Sequence, residues 1–223
     1  MGLFINHEGG DGSGKATQAE LNRHFLMNEG FVVGHQAFPR YDTETGKIIR
    51  RYLRGEIGQD MTLMEKSQLY ADDRLAAKPE MVPFIELDGW IQQTDRFTPS
   101  NMAHMGGVIL EATARHEFFE AIRHNEFDVM GIPKPDLNII HMIPAHMSMQ
   151  NIQARHERNG TGGEIDIHEQ QEHLERASMA YAELAQLYPD EFVLINCMQN
   201  FSKMRGMQDI HEEVKHIVQT RLS

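Results

Sequence analysis

The stretch Gly9-Gly10-Asp11-Gly12-Ser13-Gly14-Lys15 fills every place of the phosphate-binding pattern G-x-x-x-x-G-K-[ST] except the last, where Ala16 stands in place of a hydroxyl residue. Few sequence features restrict a fold as tightly, because such a loop works only between a buried strand and the first turn of a helix. Leu3-Phe4-Ile5 before it reads as that strand, and Ala16 to Glu29 after it as that helix. Glycines let the chain turn with its amides aimed inward, the helix N-terminus favours negative charge, and Lys15 adds a full positive charge at the outer phosphates. Residues 9–17 are therefore expected to hold nucleotide phosphates, with Gly9, Gly10, Asp11, Gly12, Ser13, Gly14, Lys15, Ala16 and Thr17 in contact with them.

A chain of 223 residues suits one α/β domain spanning 1–223 better than two independent ones. Apolar runs at Leu3 to Asn6, Phe31 to Val33, Trp90 to Thr94, Leu137 to Met142 and Phe192 to Ile195 alternate with segments of helical spacing. That alternation predicts a three-layer fold, about five parallel strands flanked by helices. The third strand conflicts with hydropathy, since Gln92 and Gln93 fall where a strand covered on both faces should be apolar. Toward the C-terminus, Ile167, Leu174, Ala177, Tyr181, Leu184 and Tyr188 mark one helical stripe. Ile210, Val214, Ile217, Val218 and Leu222 mark a last helix, with Asp209 as its expected N-cap.

The formal charge of −12 argues against a surface for nucleic acid, whose backbone is bound mostly by Lys and Arg. No apolar run approaches the roughly 20 residues that span a bilayer, so no membrane partner is expected. The N-terminus enters the first strand at once and shows no signal peptide, and the single cysteine, Cys197, excludes an internal disulfide framework. A cytoplasmic protein is the expectation. His168 and His173 lie five apart, off the shared face that a zinc-binding H-E-x-x-H helix needs, and read as a solvated helix flank.

Four further clusters carry chemistry. Phe38-Pro39-Arg40-Tyr41 combines an aromatic, a rigid turn and a guanidinium that can floor a base cleft and touch a phosphate; alone it reads more readily as a proline-stiffened loop with one exposed arginine. Tyr70 and Arg74 are four apart, so a helix presents them on one face. Asp95-Arg96 follows the third strand, where open α/β sheets place ligands; its carboxylate can orient magnesium and its guanidinium can bridge phosphates. Ser100-Asn101-Met102-Ala103-His104 opens the next helix toward the same cleft. Arg155 and Arg158 precede Asn159-Gly160-Thr161-Gly162-Gly163, a connection that predicts a mobile segment bearing cations, about 152–164.

Taken in order, Glu8 to Lys15, Phe38 to Tyr41 with Tyr52-Leu53-Arg54-Gly55, Leu69 to Arg74, Asp95-Arg96-Phe97 with Ser100 to His104, and Lys134-Pro135-Asp136-Leu137 resemble the thymidylate kinases, a family of P-loop nucleoside monophosphate kinases. The resemblance runs from Phe4 to about Leu222. It implies transfer of phosphate from ATP to dTMP with magnesium, in a homodimer. By that resemblance Lys15 and the loop hold ATP, Asp11 faces the acceptor, Arg96 clamps the acceptor phosphate with Arg40 as helper, and Asp95 serves the metal. Phe38, Pro39 and Tyr70 would bracket the base, Arg74 would meet a ring carbonyl and Asn101 a ring nitrogen. His104 stands where the family usually has a tyrosine beside the sugar, and Arg155 and Arg158 belong to a lid over ATP. Ala16 leaves two readings open, a kinase whose magnesium is held by phosphates, water and Asp95, or a nucleotide-binding relative with little catalysis. Met105, His104, Gln92 and Gln93 depart from the family pattern and leave dUMP or a 5-modified dUMP as alternative acceptors.

Overall fold

A computed structural model describes residues 2–159 and 171–222. Its centre is a parallel sheet of five strands: β1 (Leu3–Glu8), β2 (Val32–Ala37), β3 (Trp90–Asp95), β4 (Leu137–Met142) and β5 (Phe192–Asn196). They lie side by side in the order β2-β3-β1-β4-β5, so the chain steps outward on both sides of β1. Ile5 faces Leu137 across one ladder and Gln93 across the other. The eight helices among the described residues are α1 (Lys15–Asn28), α2 (Glu44–Leu53), α3 (Leu63–Glu86), α4 (Thr98–Gly106), α5 (Ala112–Arg123), α6 (Ala145–Asn159), α7 (Gln171–Leu187) and α8 (Met207–Leu222). A π-helical turn, His124–Val129, continues α5, and a small hairpin, β6 (Met198–Asn200) with β7 (Lys203–Met204), follows β5.

Strand side chains alternate between two helical layers. Ile5, Ile91, Ile139 and Ile195 meet Leu26 of α1 and Val214 and Val218 of α8. On the opposite face Phe4 packs with Met81 of α3, while Ile140 packs with Phe119 of α5 and Tyr181 of α7. Each such fully buried side chain contributes about 1.5–3 kcal/mol. The fold is thus the P-loop NTPase-type α/β arrangement that the alternating pattern predicts. Among the described residues no helix is long and apolar enough to cross a membrane.

The polar third strand has a hydrogen-bonding explanation. Gln93 accepts from Asn22 Nδ2 at 2.8 Å and donates to the Ala19 carbonyl at 2.6 Å, while Gln92 Nε2 donates to the Gln93 carbonyl at 3.0 Å. Thr94 Oγ1 donates to Asn6 Oδ1 at 2.9 Å, and Asn6 Nδ2 donates to Asn138 Oδ1 at 2.9 Å, which links β3, β1 and β4 through their interiors. Buried amides that find such partners cost little, whereas unpaired ones cost about 1–3 kcal/mol each.

Two helix starts differ from expectation. Asp209 is not the N-cap of α8; Gly206 holds the position before Met207, its carbonyl accepting from the Ile210 N–H at 3.1 Å, and Asp209 sits in the first turn. Its charge there still complements the helix dipole. The helix containing Ser100 begins two residues earlier, at Thr98, because Pro99 fits the first turn, where no N–H is required. In α7 the stripe Leu174, Ala177, Tyr181 and Leu184 is buried, and Tyr188 lies just beyond the end. Ile167 and His168 lie outside the described residues, as does the Gly160 to Gly163 connection.

Candidate functional site

The phosphate loop leaves β1 on a buried carboxylate. Glu8 Oε1 accepts from the Phe97 N–H at 2.7 Å and from Asn6 Nδ2 at 3.1 Å; Oε2 accepts from Ser100 Oγ at 2.7 Å and Tyr181 OH at 2.8 Å. Four donors fill one carboxylate and tie the loop's entry to the start of α4. Burial, and then the Glu8 charge, push the Tyr181 phenol well above its ordinary range, so it remains a donor. Gly9 turns at φ 138, where an added Cβ would stand 2.5 Å from the His141 carbonyl oxygen of β4. Asn151 of α6 donates to the Gly12 carbonyl at 2.8 Å. Gly14 caps α1 with φ 86 and no side-chain bond, and the first helical backbone bond of α1 runs from Gln18 N–H to the Gly14 carbonyl. The amides of Lys15, Ala16 and Thr17 therefore have no carbonyl within the helix, the arrangement that receives an anion. Ala16 and Thr17 are both exposed at this end.

Asp11 joins the loop to a second feature, a cavity of about 440 Å³ between α3, α4 and the end of β3. Its Oδ1 lies 2.6 Å from Arg96 Nη2 and 3.4 Å from Lys15 Nζ. Burial raises the Asp11 pKa, but the charges of Arg96 and Lys15 outweigh it and hold the carboxyl far below its usual range. Arg96 has a backbone φ of 67, the only left-handed non-glycine among the described residues. Such a conformation costs of order 1 kcal/mol and is characteristic of functional sites. It is held by the Arg96 N–H, which donates to the His7 carbonyl at 2.9 Å.

Phe38, Pro39 and Tyr70 supply aromatic and apolar walls to the cavity, and Arg74, Asn101 and His104 supply its polar ones. Asp11 and Arg96 close one end, with Arg155 beside them. Met105 also lines the cavity. Tyr70 and Arg74 share a face of α3, as their spacing implies. His104 Nε2 lies 3.1 Å from Arg96 Nη1, and its Nδ1 lies 3.0 Å from His173 Nε2. That places His173 against the cavity wall, so the expected solvated flank of α7 is half-buried at this residue.

Arg40 stands apart from the cavity lining. Its backbone N–H and its Nε donate to the Asp73 carboxylate at 2.8 and 3.1 Å, its Nη2 donates to the Asp73 carbonyl at 3.0 Å, and Glu80 lies at 3.5 Å. A fully buried Asp73 takes the Arg40 guanidinium as its counter-charge, so the expected helper contact to the acceptor phosphate is not formed in this arrangement of side chains. Arg155 and Arg158 are both carried on α6, which extends regular helix through part of the expected lid; residues 160–164 lie outside the described residues. Arg158 is exposed and bonds its own helix at the Ala154 carbonyl.

A magnesium ion fits the groups present. Asp95 Oδ1, at the end of β3, is buried with no hydrogen-bond partner among the described residues, which is an unexplained cost unless something positive meets it. No group of three or more His, Cys, Asp or Glu gathers to form an all-protein metal cage among the described residues. A single carboxylate beside a phosphate loop is the usual provision for magnesium, which keeps waters and phosphate oxygens as its other ligands.

A family model for thymidylate kinase matches residues 7–207. The chain is 29% identical to a probable thymidylate kinase of Pyrococcus horikoshii, over 99% of this chain and 98% of that one. It is 30% identical to a probable thymidylate kinase of Thermococcus kodakarensis, with the same coverages, and 28% identical to the thymidylate kinase of Desulforudis audaxviator over 87% of this chain and 83% of that one.

Proposed function

Because the chain belongs to the thymidylate kinase family, we propose that it transfers the γ-phosphoryl group of ATP to dTMP, forming dTDP and ADP. The observation that carries this reading is the junction at Asp11, where a pocket with aromatic walls and polar side chains opens directly onto the phosphate loop. One ligand can place a planar base between Phe38 and Tyr70 and its phosphate near Arg96, within reach of a second nucleotide's terminal phosphate.

The nucleophile is a phosphate oxygen that is already anionic, so no strong general base is required. The oxygen forms a bond to the γ-phosphorus as the bond to the β–γ bridging oxygen breaks, and ADP carries away the electron pair. Alignment and charge neutralisation are the protein's share. Lys15 and the amides of residues 9–17 hold the donor phosphates, Arg96 holds the acceptor phosphate, and Arg155 and Arg158 add charge from α6. Asp11 holds Arg96 and Lys15 at a common point. Arg74 and Asn101 address the base edge, His104 the sugar side. Asp95 would hold a magnesium ion, which when bound would supply Lewis-acid stabilisation of the transferred group. Arg40 keeps the Phe38-Pro39 turn in place from behind.

We further propose one domain over residues 1–223 and a cytoplasmic homodimer without nucleic-acid or membrane partners, on the family precedent and the acidic composition. The decisive assay measures ADP release with dTMP, dUMP, CMP and dAMP as acceptors. Highest kcat/KM with dTMP is expected; equal or better turnover with another acceptor refutes the assignment, and nucleotide binding without turnover on any acceptor refutes catalysis.

A further inference from the structure

Beneath the cavity, out of reach of any ligand, lies Glu126 of the π-helical turn, fully buried and absent from the cavity lining. Its Oε2 accepts from Arg74 Nε at 2.7 Å and from Thr98 Oγ1 at 2.7 Å. Its Oε1 accepts from Arg74 Nη2 at 2.6 Å and from Asn101 Nδ2 at 3.1 Å. Four donors occupy the roughly four acceptor positions of a carboxylate, so Glu126 is saturated. π-Helical turns of this kind recur at functional sites.

The consequence for Asn101 follows from the inventory of its amide. Asn101 Nδ2 donates to the Ser67 carbonyl at 2.9 Å and to Glu126, and both partners can only accept. The NH2 end must therefore face them, and Oδ1 is the end left for the cavity that Asn101 lines. Arg74 commits Nε and one Nη2 hydrogen to Glu126, which leaves the outer hydrogens of its fork as donors on the cavity side.

We infer that Glu126 is a specificity-determining positioning residue: by consuming the inner donors of Arg74 and Asn101 it presents the base with one acceptor beside one set of donors. That pattern complements a ring N–H next to a carbonyl, the N3–H and O4 edge of thymine or uracil. It opposes cytosine, whose N3 carries a lone pair beside an amino donor, so that two donors and two acceptors would confront each other. A buried polar mismatch of this type discriminates far more strongly than a missing methyl group. The inference rests on the proposed pyrimidine monophosphate acceptor and adds the residue that sets its base preference.

Steady-state kinetics on the full-length protein test it, with dTMP, dCMP and N3-methyl-dTMP as acceptors. Glu126→Gln has one side-chain oxygen and brings two donors against Arg74 and Asn101, which should reorient the Asn101 amide. The expected results are a KM for dTMP raised about tenfold or more with KM for ATP within about twofold, and a dTMP-to-dCMP ratio of kcat/KM reduced by about 10–100-fold. On the wild-type protein, which needs no folding control, N3-methyl-dTMP should lose at least about 100-fold in kcat/KM, since its methyl group confronts Asn101 Oδ1. An unchanged dTMP-to-dCMP ratio in a folded Glu126→Gln protein, or wild-type turnover of N3-methyl-dTMP, overturns the inference while leaving the kinase reading intact. Failure of the wild-type protein to phosphorylate dTMP overturns that reading instead.

Discussion

The histidine pair under the phosphate loop makes stability fall with acid in a way that can be measured. His7 of β1 and His141 of β4 are both fully buried, with His7 Nδ1 3.1 Å from His141 Nε2 and rings stacked at 5.5 Å. One nitrogen donates to the other, which requires at least one unprotonated ring nitrogen at the contact. Burial, and then the charge of Lys15, push the His141 pKa down to about 3; burial, and then His141, lower that of His7 well below its ordinary value. Both groups have depressed folded-state pKa values, so their stabilising neutrality is fully effective above the unfolded value of about 6.5 and is lost as pH falls from there toward 3. At pH 5 the unfolded chain has protonated both while the folded protein has not. For His141 the cost is about 2 kcal/mol relative to pH 7.5, and His7 adds to it in the same direction.

Urea unfolding followed by fluorescence of the single tryptophan, Trp90, at pH 7.5 and 5.0 reads this directly. With an m-value of about 2.5 kcal/mol/M, the ~2 kcal/mol from His141 alone moves the midpoint by roughly 0.8 M. In His141→Asn one titrating group is gone, and the loss between the two pH values should shrink by about 2 kcal/mol even where the variant is less stable throughout. His35 and His211 are also lowered, chiefly by burial, but are common to both proteins and cancel in the comparison. Identical pH dependence in wild type and variant would refute the assignment of acid sensitivity to this pair.

Lys15→Ala should lower kcat at least about 100-fold with little change in urea midpoint, because its charge serves phosphate while the loop is held by Gly9 and Asn151; wild-type rates in single-turnover assays would refute that role. Ala16→Ser restores the missing hydroxyl at the head of α1, and should lower the magnesium concentration for half-maximal rate several-fold, to be read from a magnesium titration at saturating ATP.

The strands are legible in the sequence wherever apolar residues form short runs, as at Leu137 to Met142, whose limits match the observed β4. β1 and β3 extend further than hydropathy indicates: His7 and Glu8 meet partners distant in sequence, while Asp95 carries the third strand one residue further into the site. The phosphate loop is legible because its chemistry is local: glycines, a lysine and a helix start within seven residues. The placement of Phe38, Tyr70, Arg74, Arg96 and Asn101 around one cavity follows the order of their motifs. Glu126 is invisible at that level, since His124-Asn125-Glu126-Phe127 reads as an ordinary solvated turn, and its partners lie 25 to 52 residues away. Glu8 is similar: its presence in the motif is visible, but three of its four donors come from two distant segments, the start of α4 and α7. Arg40 is a further case, an exposed-looking cation whose partner Asp73 sits at the centre of α3.

The bond from Asn151 to the Gly12 carbonyl fastens α6 to the loop partway along the helix. Arg155 stands four residues beyond, about 6 Å along the axis. A helix transmits displacement along its length, so α6 ties the Gly12 peptide to the turn that carries Arg155 and Arg158. Any swing of the arm bearing Arg155 and Arg158 must either twist the Gly12 peptide or break its tether. The backbone of the phosphate loop and the helix carrying both arginines thus share one polar joint, and the loop's shape is set in part from outside its own sequence.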